Sequence, residues 1–394
     1  MKVIAALSGG VDSAVAAARA VEAGYDVTGV HMALKTEGEA CATTSRGCAN
    51  PRDRADAQRT CEILGIPFEV WDLADEFEEK VISDFVSQYE MGRTPNPCVR
   101  CNEFVKFKEL TVRARERGFD AVVTGHYARS EKRGDRHELL RARDLSKDQS
   151  YVLAVMGEEE ISRVIFPLGD MPSKQAVREE AEARGLGVSN KPDSFDICFI
   201  PDGDTQKFLR ERLGEAPGEI VDVDGNVLGA HRGHFEYTVG QRKGLGIDRP
   251  AADGRPRYVL ETRPSANQVV VGPAELLSVD VVVTADLTWD ASDDEGDVRT
   301  IEPAPMGTDE DECLYAQMRA HGRPIPVKAL ERGEGGLKVT LAESVRGIAP
   351  GQTLVLYRGN RVLAQSVING TNRTKLSAST GKLGRRVAED AVPA

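Results

Sequence analysis

Six residues near the start, Ser8-Gly9-Gly10-Val11-Asp12-Ser13, most constrain what this chain can become. An apolar run, Lys2 to Leu7, leads into them, and an alanine-rich run, Ala14 to Ala23, leads out and stops at Gly24. That pattern predicts strand, glycine turn, helix. Two glycines let the backbone approach a ligand with no Cβ in the way. The helix start adds N–H donors and the positive end of a dipole, which suits phosphate. Ser8 and Ser13 contribute hydroxyls. The pattern G-x-x-x-x-G-K-[ST] occurs nowhere in the chain, so the lysine of a Walker loop is missing. The stretch reads as a phosphate loop of another kind, with Asp12 placed to hold a metal rather than to touch phosphate. Taken alone, the same six residues also fit a plain strand-to-helix turn with a capping serine.

The alternation continues. Val27 to Leu34 reads as a strand with Met32 near its C-terminal end, the sheet edge where nucleotides bind in open α/β folds; Met32 suits a base pocket and a core equally. Arg52 to Leu64 is helical, Pro67 to Leu73 a strand, and Ala74 to Glu90 a helix by apolar spacing. Gly92 to Asn102 holds Pro95 and Pro97 and is expected to be an ordered loop without helix. A helix follows from Glu103 to Arg117, then a strand from Ala121 to Tyr127 with Gly125 where the strand tip can meet a nucleotide. Residues 129–143 read as a charged hairpin, Ser146 to Tyr151 as the start of a helix, and Ser173 as the cap of a helix closed by Gly185. Strands alternating with helices imply a parallel sheet with right-handed crossovers. From about residue 215, short alternating segments between Asp-Gly and Gly-rich turns replace this pattern.

The expected fold class is therefore α/β for an N-terminal catalytic domain, 1–205. A small central β domain, 206–276, and a C-terminal barrel-like β domain, 277–370, follow, and 371–394 reads as a loose tail. A length of 394 residues accommodates this division. No run of about 18 apolar residues exists, so no membrane span is expected. The N-terminus enters a strand directly, and seven cysteines, an odd number in a long chain, argue against a disulfide framework. A cytoplasmic protein with reduced thiols is the expectation. The formal charge of −12 speaks against nucleic acid at first sight. It is uneven: 286–312 carries eleven acids and one Arg, net −10, which leaves −2 for everything else. Residues 129–147 carry seven Lys or Arg against four acids. A local basic surface is compatible with the chain.

Cys98 and Cys101 form a C-x-x-C beside two prolines, and Cys198 lies 97 residues beyond Cys101 in another polar stretch. Cys41, Cys48, Cys61 and Cys313 suit buried small apolar positions as well as any chemistry. One C-x-x-C admits a redox pair or half a metal site. No second C-x-x-C exists, which disfavours a four-cysteine zinc site; a three-cysteine iron–sulfur site stays open. The six histidines show no metal spacing, and His126 fits a pocket or a buried position.

These residues together carry a resemblance. Ser8–Ser13 resembles the PP-loop of ATP pyrophosphatases, which split ATP between the α and β phosphates and transfer AMP. With the Gly92–Asn102 loop, Thr124-Gly125-His126-Tyr127, Lys147-Asp148-Gln149-Ser150-Tyr151, Asp196-Ile197-Cys198-Phe199-Ile200 and Tyr237 to Gly246, the chain closely resembles the bacterial tRNA-specific 2-thiouridylases, the MnmA family, from residue 1 to about 370. The resemblance implies that Ala6, Leu7, Ser8, Gly9, Gly10, Val11, Asp12 and Ser13, with Met32 and Gly125, bind ATP with Mg2+. It implies that Cys198 carries sulfur as a persulfide from a donor protein, a cysteine desulfurase or relay. Cys101 matches the partner cysteine that releases the sulfur and closes a transient disulfide with Cys198. Asn96, Pro97 and Cys98 would face the target base; Lys147, Asp148, Gln149 and Arg319 would contact tRNA. The wobble uridine would be adenylated at its C2 oxygen and AMP displaced by sulfur, with the base drawn out of its stack.

The chain departs from the family in two places. A thiol, Cys98, stands where the family often has Asp, so the acid/base or ligand role of that Asp is in doubt here. The change also keeps Cys98, Cys101 and Cys198 open as ligands of a [4Fe–4S] cluster. An Arg-Tyr pair of the last domain falls near Arg319-Ala320, so only the Arg is kept. Other readings are a PP-loop ligase acting on a small molecule, a PP-loop tRNA thiolase using an iron–sulfur cluster, and a nucleotide- or metal-binding regulatory module.

Overall fold

The computed structural model describes residues 1–34, 51–192, 197–200, 202–247, 254–289, 300–301, 313–333 and 335–374. Cys41, Cys48, Asp193 to Asp196 and most of the acidic stretch beyond 290 lie outside them. The chain divides into two units. One takes Met1–Ser83, Pro97–Asp204 and Asn360–Val362; the other takes Asp84–Asn96, Thr205–Gly359 and Leu363–Ala394.

In the first unit, β1 (Lys2–Ala6) runs into α1 (Val11–Glu22), as the apolar run and glycines require. Then come β2 (Asp26–Ala33), α2 (Pro51–Leu64) and β3 (Phe68–Asp72). Helix α3 covers residues 74–90, with a π-helical stretch at Glu78–Ile82. Helix α4 covers 97–116, and Cys101–Glu109 within it is π-helical. β4 (Ala121–Val123), the hairpin β5 (Ala128–Arg133) and β6 (Arg136–Arg141), short helices α5 (Ser150–Leu153) and α6 (Glu158–Ser162), β7 (Val164–Ile165) and α7 (Lys174–Ala183) complete it. The Ser173 hydroxyl caps α7 by accepting the Ala176 N–H, and Gly185 follows with φ +66°. Arg361 pairs with Leu140 of β6.

The five parallel strands lie in the order β3-β2-β1-β4-β7. The connection from β1 leads to one side and the later strands return on the other, so the order switches between β1 and β4. That is the place where an open α/β sheet binds its ligand, beyond the carboxyl ends of the strands. Helix α1 lies close over this sheet because its buried face is almost all alanine: Ala14, Ala16, Ala17, Ala18 and Ala20, with Val15. Alanine is the strongest helix former, and its small side chain brings the helix axis near the strands.

Three local expectations are corrected. The Gly92–Asn102 segment is not loop throughout: helix begins at Pro97. Proline blocks a helix interior, yet at the first helical position its missing N–H is unneeded and its φ already suits the helix. The helix expected from Ser146 shrinks to Ser150–Leu153, because Asp148 folds its carboxylate back onto the Ser150 N–H and hydroxyl, at 3.2 and 2.9 Å. The loose tail does not begin at 371: the last strand ends at Asn372, and the Thr374 N–H and hydroxyl donate to Asp280.

The second unit opens with α8 (Thr205–Leu213) and a four-stranded sheet of β8 (Gly218–Val221), β9 (Val227–His231), β10 (Tyr258–Arg263) and β11 (Gln268–Gly272). β12 (Ser278–Trp289), β13 (Thr300–Ile301), β14 (Leu314–Gln317), β15 (Ile325–Gly333), β16 (Gly336–Arg346), β17 (Thr353–Arg358) and β18 (Arg361–Asn372) follow. Six of them run in the order β12-β16-β15-β14-β17-β18, and β18 pairs again with β12, which closes a barrel. Val282, Leu330, Val339, Leu354, Leu356 and Leu363 fill its core. Closure removes the exposed strand edges an open sheet would leave. Residues 84–96, inside the stretch read as the first domain, belong to this unit: Phe85 stacks edge-on with Phe208 at 6.2 Å, and the Thr94 N–H donates to the Pro350 carbonyl at 2.7 Å. No helix among the described residues is long and apolar enough to cross a membrane.

Candidate active site

The phosphate loop is shaped by its own serines. The Ser8 N–H donates to Ser13 Oγ at 3.2 Å, and the Ser13 hydroxyl donates to the Gly10 carbonyl at 3.0 Å. Gly9 sits at φ +77°, and a Cβ there would meet the Asp53 carbonyl at 2.2 Å, so the loop needs glycine on both counts. Gly10 is the N-cap of α1, and no side chain caps it. The first-turn amides therefore point toward the site as donors. Behind the loop, His31 Nδ1–H donates to the Leu7 carbonyl at 2.8 Å, and burial holds this ring below its usual pKa and neutral.

Gly125, at the tip beyond β4, packs directly on the loop. A Cβ on it would lie 2.6 Å from the Ser13 nitrogen. The two glycine segments, 112 residues apart as Ser13 and Gly125 are counted, thus meet at the switch point. Met32, one residue from the end of β2, is buried on the same sheet. His126 is half-buried beside the Phe107 ring, with Nδ1 2.6 Å from the Thr124 hydroxyl. Burial and the nearby Lys106 push its pKa down to about 3, so the imidazole stays neutral.

Asp12, expected to hold a metal, has two side-chain partners on its carboxylate. Tyr127 donates its hydroxyl to Oδ1 at 2.7 Å, and Lys174 Nζ lies 2.5 Å from Oδ2. A second lysine, Lys191, donates to the Gly9 carbonyl at 2.9 Å and to Asp53 at 2.6 Å, with Asp56 also in contact. Burial works against its charge, but the two carboxylates prevail and raise its pKa. Sequence reading missed Tyr127, Lys174 and Lys191. The missing Walker lysine was the signal that a cation had to come from elsewhere.

The cysteine expectations are partly re-sited. Cys98 and Cys101 lie on the first turns of α4, three residues apart and so on one face. Cys98 is exposed, Cys101 buried and Cys198 half-buried, all as thiols. Phe199, next to Cys198, is buried and packs its ring edge-on against Phe77 of α3 at 5.9 Å. Helix α3 in turn packs against the π-helical part of α4 that starts at Cys101. The fold thereby ties the Cys198 segment to the Cys101 helix. Among the described residues no three Cys, His, Asp or Glu side chains gather as a metal-binding group.

Of the residues expected to touch tRNA, one is drawn into the fold. Asp148 is turned inward: its carboxylate is 4% exposed, pairs with Arg141 at 2.8 Å and accepts the Ala142 N–H at 3.0 Å. A carboxylate so enclosed orders the hairpin end and is not a contact surface. Gln149 Oε1 accepts the Tyr127 N–H at 2.9 Å, and the Lys147 N–H closes a turn onto Asp144. Of the target-base trio, Pro97 and Cys98 belong to the first unit and Asn96 to the second. In the second unit, the Arg319 guanidinium donates to the Arg346 and Gly347 carbonyls.

Comparison with known proteins decides the family. Residues 1–202 match the tRNA methyl transferase HUP domain, 206–273 the tRNA methyl transferase PRC-barrel domain, and 296–368 the aminomethyltransferase beta-barrel domain. A tRNA-specific 2-thiouridylase of Beutenbergia cavernae is 54% identical over 98% of this chain and 99% of its own. The chain belongs to the tRNA-specific 2-thiouridylase family. Its relatives from Kineococcus radiotolerans and Streptomyces coelicolor are 55% and 52% identical, over 94% and 96% of the chain and 99% and 97% of their own lengths. A solved 4-thiouridine synthetase–RNA complex with bound ATP is 19% identical over 54% of this chain and 50% of that one, with a TM-score of 0.32, too loose a likeness to carry function. The family places a PP-loop-like parallel-sheet domain ahead of two β-rich domains, as found here.

Proposed function

We infer that this protein is a tRNA uridine 2-sulfurtransferase: it adenylates the C2 oxygen of the wobble uridine with ATP and replaces the activated oxygen with sulfur. Membership in the 2-thiouridylase family along nearly the whole chain carries this reading. The domain descriptions speak of methyl transfer, while the relatives' names speak of thiolation; two cysteines on segments tied together within the PP-loop unit favour thiolation.

The reaction needs a carbonyl oxygen made into a leaving group. The uracil C2 oxygen attacks the α-phosphorus of ATP as the N3 proton is lost, and pyrophosphate departs. The terminal sulfur of a Cys198 persulfide then adds at C2 and AMP leaves. Cys101 attacks Cys198 Sγ, the S–S bond breaks, the transferred sulfur remains on C2, and a Cys101–Cys198 disulfide forms that an outside thiol reduces. A persulfide is a strong nucleophile at neutral pH, which is what this step requires. The amides of the Gly10–Ser13 turn receive phosphate, and Gly125 and Met32 line the nucleotide's side of the sheet edge. Asp12 is the carboxylate that would share Mg2+ with the phosphates, where the ion offsets their charge. A cysteine desulfurase or relay supplies the sulfur, in the cytoplasm. Lys147, Gln149 and Arg319 belong to the tRNA-facing surface, with Asn96, Pro97 and Cys98 near the base, on a division of 1–205, 206–276 and 277–370.

The test is mass analysis of tRNA nucleosides after incubation with ATP, a cysteine desulfurase and cysteine, which together deliver sulfur at the persulfide level. 2-Thiouridine should appear with the unmodified protein and vanish with Cys198→Ser, while pyrophosphate release survives. Thiolation retained by Cys198→Ser would overturn the persulfide role.

A further inference from the structure

Two consecutive glycines, Gly9 and Gly10, lie in the phosphate loop, and the peptide between them has no side chain on either flank to fix its direction. This peptide is trans, so its carbonyl and its N–H point opposite ways. The Gly9 carbonyl points to Lys191, whose ammonium donates to it at 2.9 Å. The Gly10 N–H therefore points the other way, where the Ser8 hydroxyl, itself 3.2 Å from Ser13 Oγ, accepts it at 3.4 Å. A half-turn of the peptide would reverse both groups. It takes the Gly10 φ from −93° to about +87°, which glycine adopts readily and other residues do not. A carbonyl oxygen would then stand where an N–H donor is needed, and it would repel a phosphate.

Lys191 is held so as to prevent this turn. Arg178 of α7 donates to the Lys191 carbonyl at 2.9 Å, and the Lys191 N–H donates to the Val188 carbonyl at 3.1 Å, which fixes the backbone. An ammonium has three N–H donors. Three acceptors match them: Asp53, Asp56 and the Gly9 carbonyl. Burial opposes the charge, but the two carboxylates keep it. With its donors so matched, Lys191 has none left to offer a phosphate. We propose that Lys191 is a positioning residue for ATP: it locks the Gly9–Gly10 peptide with its N–H toward the phosphates and does not touch the nucleotide itself. The proposal rests on the ATP-using reading above.

Calorimetric titration of the full-length protein with ATP and Mg2+ tests this as a cycle of four proteins: unmodified, Lys191→Met, Gly10→Ala, and both changes together. In Lys191→Met the peptide is free to turn. ATP affinity should fall roughly tenfold or more, because only the fraction of molecules with the N–H inward binds. Gly10→Ala disfavours the turned peptide by its φ, and its Cβ would meet the Ser8 hydroxyl at an ordinary 3.4 Å. Adding Lys191→Met to Gly10→Ala should therefore lower affinity by less than about threefold, whatever Gly10→Ala does alone. An equal loss in both backgrounds would mean that Lys191 acts through its charge or through packing, and the proposal fails; so does unchanged affinity in Lys191→Met. Loss of all ATP binding in Gly10→Ala fails it too, since the bound loop would then need the turned peptide. If Lys191→Met does not fold because Asp53 and Asp56 are left facing each other, the same cycle is run with Asp53→Asn in all four proteins. An unmodified protein that binds no ATP brings down the functional reading, and this inference with it.

Discussion

The Tyr127 hydroxyl donates to Asp12 Oδ1 at 2.7 Å, joining the residue after His126 to the first turn of α1 across 115 positions of sequence. The contact holds the one acidic side chain of the phosphate loop in a set direction. Tyr127→Phe removes it and leaves the ring packing intact. The KM for ATP should rise roughly five- to tenfold, the cost of one hydrogen bond to a charged group at a partly exposed site, with the KM for tRNA unchanged. Steady-state kinetics in both substrates read this out, and an unaltered ATP KM would remove the positioning role.

Gly125 offers a sharper case. A methyl group at this position would meet backbone, not a side chain that can swing away: Ser13 N at 2.6 Å and the Asp12 carbonyl carbon at 2.7 Å. Gly125→Ala should displace the loop and lower the rate of pyrophosphate release about a hundredfold or more while the protein still folds. Gly24 serves as the control. It has φ +78° but open space around it, so Gly24→Ala should lower stability by about 1 kcal/mol and leave activity alone.

Stability should carry a pH signature from Glu180. Its carboxylate accepts hydrogen bonds from Arg19 at 2.6 to 3.1 Å and from Arg184 at 3.0 Å. The Arg19 guanidinium, chiefly, holds its pKa below the usual 4.5. A carboxyl whose pKa is lower in the folded state stabilises above its unfolded value and loses that contribution as the pH falls through its folded value. The Tm of Glu180→Gln should lie below that of the unmodified protein at pH 7, by an amount equivalent to about 1–2 kcal/mol. The gap should narrow as the pH falls below 4.5, as thermal melts down through the acid range will show. A gap that does not depend on pH would exclude the linkage.

The thiols should separate by reactivity. Cys61 is 1% exposed, and burial, aided by Glu62, raises its pKa to about 11. Cys98 is exposed on the first turn of α4. Thiolates, not thiols, are alkylated. Brief iodoacetamide treatment at pH 7.5 should label Cys98 early and Cys61 only after unfolding, as peptide mass analysis would establish. Early labelling of Cys61 would contradict its place on the buried face of α2.

Much of this site was legible in the residues. The loop at Ser8–Ser13 announced itself because glycine, hydroxyl and helix start are local requirements, met within six positions. Pro97 misled because its effect depends on where in a helix it falls, and a C-x-x-C read as loop is in fact the first turns of α4. Asp148 misled for a related reason. Nothing local distinguishes a carboxylate that faces solvent from one enclosed by Arg141, Ala142 and Ser150.

The sequence by itself determined the elements and the chemistry they carry: an alternating α/β half, a β-rich half, a phosphate loop without a lysine, and cysteines at 98, 101 and 198. Their periodicities and turn residues act over a few positions, and short-range rules read them. Only the tertiary structure decided which distant groups serve the loop. The strand order β2-β1-β4 sets Gly125 against Ser13, and the packing of α7 delivers Lys174 to Asp12. Strand order and helix packing follow from burying the apolar faces of the whole unit together, which no local pattern encodes.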